Sequence, residues 1–303
     1  MLPTLFSHPS FEPINQQEVT MATAPLQQTE SEQGRYIQAN GLDIYYEEHG
    51  QGKPLLLIHG GILTGGSWQP YLAVFAKHYR VITPDSRGHG RTANPAGSLS
   101  FELLADDMAA LIQALDLQKP LICGYSDGGQ VALEIGMRYP DLPQALIIGG
   151  AYVELTEASR KWVRSILGDE QSPDVDIEQF ERDNPTFAAG LQQDHGPEDW
   201  KTLLKQIKPM WNATLNYSQD DFARVVAPTL VLLGDRDGFV PVEEGVSMYR
   251  LLPNAEFAVI PGAEHNDFIF SPAKVELLQP LIMDFLSRHS DSAGQTEPAE
   301  NAH

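Results

Sequence analysis

One short stretch limits the fold more than any other. The apolar residues Leu121-Ile122-Cys123 run directly into Gly124-Tyr125-Ser126-Asp127-Gly128, and a helical pattern carrying Val131, Ala132, Ile135 and Tyr139 follows at once. A strand that reverses into a helix within so few residues forces Ser126 into strained dihedrals and presses two backbones together. Gly124 and Gly128 supply the room. The serine then stands at a helix N-terminus, where free amides and the helix dipole favour negative charge. An ordinary glycine-rich turn would carry the same glycines, so the rest of the chain has to decide between the two.

The rest of the chain alternates strands with helices. Arg35–Ala39 and Leu42–Glu48 flank Asn40-Gly41, a strong hairpin signal. Leu55–His59, Arg80–Thr83, Leu121–Tyr125, Ala145–Ile148, Thr229–Leu233 and Phe257–Ile260 are short apolar runs of the kind found in buried parallel strands. Helical spacing appears over Trp68–Tyr79, Phe101–Leu115 with Ser100 as N-cap, Asp127–Tyr139 and Ala273–Arg288. This order predicts an α/β fold, a mostly parallel eight-stranded sheet with helices on both faces. Residues 152–228 break the rhythm. They hold no strand pattern, and helical patterns occupy Glu157–Leu167, Ile177–Arg182, Glu198–Ile207 and Gln219–Val225. The expected organisation is a core formed by residues 35–151 and 229–289, with 152–228 inserted as a helical cap. Residues 1–34 and 290–303 are polar, aperiodic and expected to be disordered.

Charge narrows the partners. The 303 residues carry 41 acids against 20 bases, a formal net charge of −21. Seven uncompensated acids lie in residues 1–33 and 290–303, and removing them from −21 leaves −14 for the rest. A chain this acidic is a poor match for nucleic acid or an anionic membrane surface. No apolar run reaches the roughly 20 residues of a membrane span. With a single cysteine, Cys123, neither an intrachain disulfide framework nor a cysteine-based zinc site can form. The first residues lack the basic and apolar regions of an export signal, which makes a cytoplasmic location the expectation.

A serine needs a base to act as a nucleophile, and the base needs an acid to orient it. Five motifs bear on this. His59-Gly60-Gly61 follows the third strand, and Asp85-Ser86-Arg87-Gly88-His89-Gly90-Arg91-Thr92 follows the fourth. The Ser126 turn comes next, then Gly234-Asp235-Arg236-Asp237-Gly238-Phe239-Val240-Pro241, and finally Pro261-Gly262-Ala263-Glu264-His265. In this order they make residues 35–288 resemble the α/β-hydrolase superfamily, and the serine separates the chain from the dehalogenase branch, which uses an aspartate there. The resemblance implies Ser126 as nucleophile and His265 as base. Both Asp235 and Asp237 follow a strand at the right place for the acid. The family pattern selects Asp237, the third residue after the glycine, and leaves Asp235 as a turn residue. The oxyanion hole requires two backbone donors. One is expected from Asp127, the residue after the nucleophile, and the resemblance implies Gly61 for the other.

The remaining candidates concern substrate. Tyr125, Trp68, Tyr152 and Phe239 lie nearest the motifs in sequence and are the candidate pocket residues. Trp162, Phe180, Phe187, Trp200, Met210 and Trp211 read as the core of the cap. Asp127 has two readings: a carboxylate placed favourably in the first turn of a helix, or one that recognises a cationic substrate group. Here Gly-x-Ser-Asp-Gly-Gly resembles the valacyclovir-hydrolase (biphenyl-hydrolase-like) group, in which the aspartate has the second role. Asp85, Arg87 and His89 fit no metal template and read as a structural ion-pair loop; no metal and no cofactor is expected. The expected activity is hydrolysis of small-molecule carboxylic esters through an acyl-enzyme. Amide or amino-acid ester, lactone or C–C bond hydrolysis and perhydrolysis are alternatives on the same residues, and a ligand receptor that kept the fold is the non-enzyme alternative.

Overall fold

The computed structural model describes residues 34–172 and 174–290. The two polar ends, apart from Gly34 and Ser290, lie outside the described residues. Eight strands form one sheet: β1 (Arg35–Ala39), β2 (Leu42–His49), β3 (Lys53–Ile58), β4 (Tyr79–Pro84), β5 (Leu121–Tyr125), β6 (Ala145–Gly149), β7 (Thr229–Gly234) and β8 (Ala255–Ile260). Their order across the sheet is β1-β2-β4-β3-β5-β6-β7-β8. β2 runs antiparallel to both β1 and β4, and every other pairing is parallel.

The central strands are apolar throughout because both faces are covered. Alternation then sorts their side chains. Leu55 and Leu57 of β3, with Leu121, Cys123 and Tyr125 of β5, point into one core cluster. Leu56, Ile58 and Ile122 point into the other. The first cluster is closed by α1 (Gln69–Phe75), α10 (Asp267–Phe270) and α11 (Pro272–Ser290). The second is closed by α2 (Phe101–Ala114), α3 (Asp127–Arg138) and α9 (Val242–Leu251). Each fully buried Leu or Ile contributes roughly 1.5–3 kcal/mol relative to exposure.

Among the described residues, five helices lie between β6 and β7: α4 (Glu157–Leu167), α5 (Ile177–Asp183), α6 (Pro185–His195), α7 (Asp199–Trp211) and α8 (Gln219–Ala223). Local chemistry sets several of their starts. Thr156 caps α4 by accepting from the Ser159 amide, and Asp176 caps α5 by accepting from that of Gln179. Ser218 and Asp221 form a reciprocal capping box at α8. Helix α6 has no counterpart among the helices expected from sequence. Gly190 lies inside it, and only Ala188, Leu191 and His195 are buried, so its apolar spacing is weak.

The helix expected over Trp68–Tyr79 is shorter. A 3-10 turn covers Gly65–Trp68, α1 stops at Phe75, and Tyr79 already belongs to β4, paired with Lys53. Sheet pairing overrides the helical spacing of the last residues. Among the described residues no helix is long and apolar enough to cross a membrane.

Candidate active site

Ser126 joins β5 to α3 with φ 56° and ψ −121°, the left-handed side of backbone space where a non-glycine residue carries strain of order 1–3 kcal/mol. The fold holds it there. Its amide donates to the Gly149 carbonyl of β6 at 2.8 Å, and its carbonyl accepts from the Gln130 amide at 3.0 Å. A methyl group at Gly124 would collide with the Gly128 carbonyl, and one at Gly128 with the Ile58 carbonyl. Glycine at both positions is therefore what lets α3 start against β3 and β5.

The structure brings Ser126, His265 and Asp237 together from three separate loops. Ser126 Oγ lies 3.0 Å from His265 Nε2, and His265 Nδ1 lies 2.7 Å from Asp237 Oδ2. The other Asp237 oxygen accepts from the amides of Phe239 (2.9 Å) and Val240 (2.7 Å), and the side chain is fully buried. With the carboxylate facing Nδ1–H, Nε2 keeps its lone pair toward the serine. Asp235 is elsewhere. It is half-exposed, accepts from the Gly262 amide at 2.5 Å and approaches Arg236 at 4.0 Å, tying the β7 and β8 loops together.

The Gly60-Gly61 loop lies beside the serine, since a methyl at Gly60 would stand 3.2 Å from Ser126 Cβ. His59 Nδ1–H donates to the Gly60 carbonyl at 2.7 Å, and its Nε2 accepts from the Ser86 amide at 2.9 Å. Because the peptide is planar, fixing the Gly60 carbonyl also fixes the direction of the Gly61 N–H. Burial, aided by the neighbouring His195, holds His59 below the usual histidine range. Among the described residues, the Gly61 and Asp127 amides have no protein acceptor, leaving two donors free near Ser126.

Asp127 points its side chain back over Gly61. It is buried, and one oxygen accepts from the indole N–H of Trp211 at 2.8 Å. Burial pushes its carboxyl up to about 6, against the opposing pull of Trp211 and His265.

The four aromatic candidates divide. Phe239 packs edge-on against His265 at 4.9 Å, and Tyr152 packs against Phe239 at 5.8 Å. Tyr125 meets the histidine with its ring tilted at 5.3 Å, stacks on Phe268 at 5.2 Å, and belongs to the core cluster under α1 and α11. Trp68 is deeper in that cluster beside Tyr71 and is not brought to the serine. Two side chains assigned to the cap core reach the site instead. The Trp162 ring is 4.7 Å from Phe239 and 6.2 Å from His265, and Trp211 holds Asp127. An aromatic at helical spacing has the same sequence signature whether it faces a core or the histidine of a site.

The Asp85 loop carries the structural ion pair expected of it, with the acidic partner supplied by α2. Asp85 accepts from the amides of Gly65 and Arg91, both at 2.9 Å. Arg87 pairs with Asp107 of α2 through two bonds of 2.7 and 2.6 Å, both side chains being buried. Among the described residues no group of three or more His, Cys, Asp or Glu side chains is placed to hold a metal ion.

A serine, an imidazole and a carboxylate in line, beside free amides at a helix N-terminus, can carry out acyl transfer. The sequence profile of the alpha/beta hydrolase family matches residues 55–276, and the chain belongs to that family. It is 27% identical to a non-heme chloroperoxidase of Kitasatospora aureofaciens over 82% of this chain and 98% of the relative. It is also 27% identical to a 2-hydroxy-6-oxo-6-(2'-aminophenyl)hexa-2,4-dienoic acid hydrolase of Metapseudomonas resinovorans, over 85% and 92%. Among solved structures, a thermophilic esterase from Thermogutta terrifontis superposes with a TM-score of 0.63 at 27% identity, covering 84% of this chain and 99% of the esterase.

Proposed function

We propose that this chain is a serine hydrolase that cleaves small-molecule carboxylic esters without a cofactor. The observation that carries the reading is the continuous hydrogen-bonded line from Ser126 through His265 to Asp237 at 3.0 and 2.7 Å. Ser126 Oγ attacks the ester carbonyl while His265 Nε2 takes its proton. Asp237 holds the ring in the tautomer that leaves Nε2 free and stabilises the imidazolium that forms. The amides of Gly61 and Asp127 donate to the oxyanion of the tetrahedral intermediate. Collapse breaks the ester C–O bond, and His265 returns the proton to the departing alcohol. Water, deprotonated by His265, then attacks the acyl-enzyme and releases the carboxylic acid and free Ser126.

The helices of residues 152–228 serve as the cap in this reading, over a core formed by 35–151 and 229–289. Trp162, Tyr152 and Phe239 offer an apolar surface to a neutral ester, and the esterase neighbour supports that substrate class. The chloroperoxidase relative supports a second reading on the same acyl-enzyme. Peroxide would replace water in deacylation and release a peracid.

Two assays test this. A fluorophosphonate should label the chain, and a short-chain p-nitrophenyl ester should be turned over, both lost in Ser126→Ala. Labelling that survives in Ser126→Ala excludes the serine as nucleophile, and stabilisation by an ester without turnover favours a receptor. Peracid formed from acetate and hydrogen peroxide would mark the second reading.

A further inference from the structure

Three side chains of the inserted helices each touch a different part of the machinery. Ser159 of α4 donates to the Phe239 carbonyl at 2.7 Å, beside the Asp237 turn. Trp211 of α7 holds Asp127. His195, the last residue of α6, reaches the Gly61 loop: Nε2–H donates to the Ile62 carbonyl at 2.9 Å, and Nδ1 accepts from the Gly90 amide at 2.7 Å. The ring is buried and packs against His89 at 6.0 Å, and His89 packs in turn against His59 at 5.1 Å.

The carbonyl that His195 holds belongs to a strained residue. Ile62 has φ 57°, a conformation unfavourable for any β-branched side chain, and it directly follows Gly61. His59 fixes the peptide before Gly61, and His195 fixes the carbonyl after it. The loop is thus pinned on both sides of the free amide. One pin comes from the residue that follows β3, and the other from a helix more than a hundred residues later.

We propose that His195 is a positioning residue for the oxyanion hole, and that it makes the aim of the Gly61 amide depend on where α6 sits. This inference rests on the ester-hydrolase reading above. A donor that moves by a fraction of an ångström still lets substrate bind, because the oxyanion exists only in the transition state. Loss of His195 therefore lowers kcat and leaves KM nearly unchanged.

The test compares His195→Phe, which keeps a ring and loses both hydrogen bonds, with His195→Gln, whose amide can both donate and accept. Turnover of p-nitrophenyl acetate is referred to sites titrated with a fluorophosphonate, so unfolded protein does not count. His195→Phe should lower kcat about 10- to 100-fold with KM within about threefold. The inhibition constant of a trifluoromethyl ketone, whose adduct places an oxyanion in the hole, should weaken in parallel. His195→Gln should recover most of the loss. If His195→Phe does not fold, His195→Ala, which leaves room for water at both backbone groups, takes its place. A kcat per titrated site within about threefold of wild type, an unchanged trifluoromethyl ketone constant, or a loss confined to KM overturns the inference. Turnover that persists in Ser126→Ala overturns the hydrolase reading itself, whereas Ser126-dependent activity untouched at His195 overturns only the positioning role.

Discussion

Asp127 lies in the first turn of α3, where the helix N-terminus favours a negative charge and burial opposes one. Its carboxyl is raised to about 6 mainly by burial, against an ordinary value near 4 in an unfolded chain. Between those two values the folded state binds the extra proton, so this residue's contribution to stability falls as pH rises through that window. Above about pH 6 the ionised, buried group costs about 3 kcal/mol, because each tenfold change in proton affinity is worth about 1.4 kcal/mol. Asp127→Asn keeps an oxygen for the Trp211 indole and removes the charge. It should stabilise the protein most at pH 8, with the gain shrinking to nothing near pH 4, as read by denaturant midpoints across pH. A gain equal at both pH values would assign the effect to packing. The positions of Ser126, Asp237 and His265 are legible in sequence because each is bound to punctuation around it: glycines at 124 and 128, and the turn residues after β7 and β8. A family pattern separates Asp235 from Asp237, and geometry separates them again, since only Asp237 meets the histidine. Trp162, Trp211 and His195 are not legible as site residues, because nothing local marks a side chain whose partner lies 84 or 133 residues away.

Between elements, the pair formed by Arg87 and Asp107 fixes the loop after β4 to α2. Asp107 also accepts from Asn40 at 2.7 Å, so one buried carboxylate ties together the first hairpin, the β4 loop and a helix. Removing one partner of such a pair leaves an uncompensated buried charge. Asp107→Ala should cost about 3–5 kcal/mol, measured as a lower denaturant midpoint at unchanged slope. A loss under about 1 kcal/mol would mean that Arg87 finds water or another acceptor. Strands and long helices are readable because burial on two faces, or on one stripe, writes a period into the sequence. The end of α1 escapes such a reading because β-pairing at Tyr79 decides it, and α6 escapes it because it buries too little apolar surface to impose a period.

At the scale of the whole molecule, the excess of acids acts as a field. Much of it survives when the two ends are set aside, and charged substrates approach against it or with it. For a pair of p-nitrophenyl esters alike except for a carboxylate on the acyl chain, kcat/KM of the anionic ester should rise between about 0.01 M and about 1 M salt, where screening shortens from about 30 to about 3 Å. The neutral ester should change little. Equal responses would mean that surface charge does not act at the site. Ser126 and His265 are 139 residues apart in the chain, and the completed sheet joins them. During synthesis Ser126 therefore leaves the ribosome long before His265 exists. On the ester-hydrolase reading, a nascent chain, or any fragment that ends before the β8 loop, carries an ordinary alcohol, and the cell meets a reactive serine only in a chain that has closed its last parallel strand.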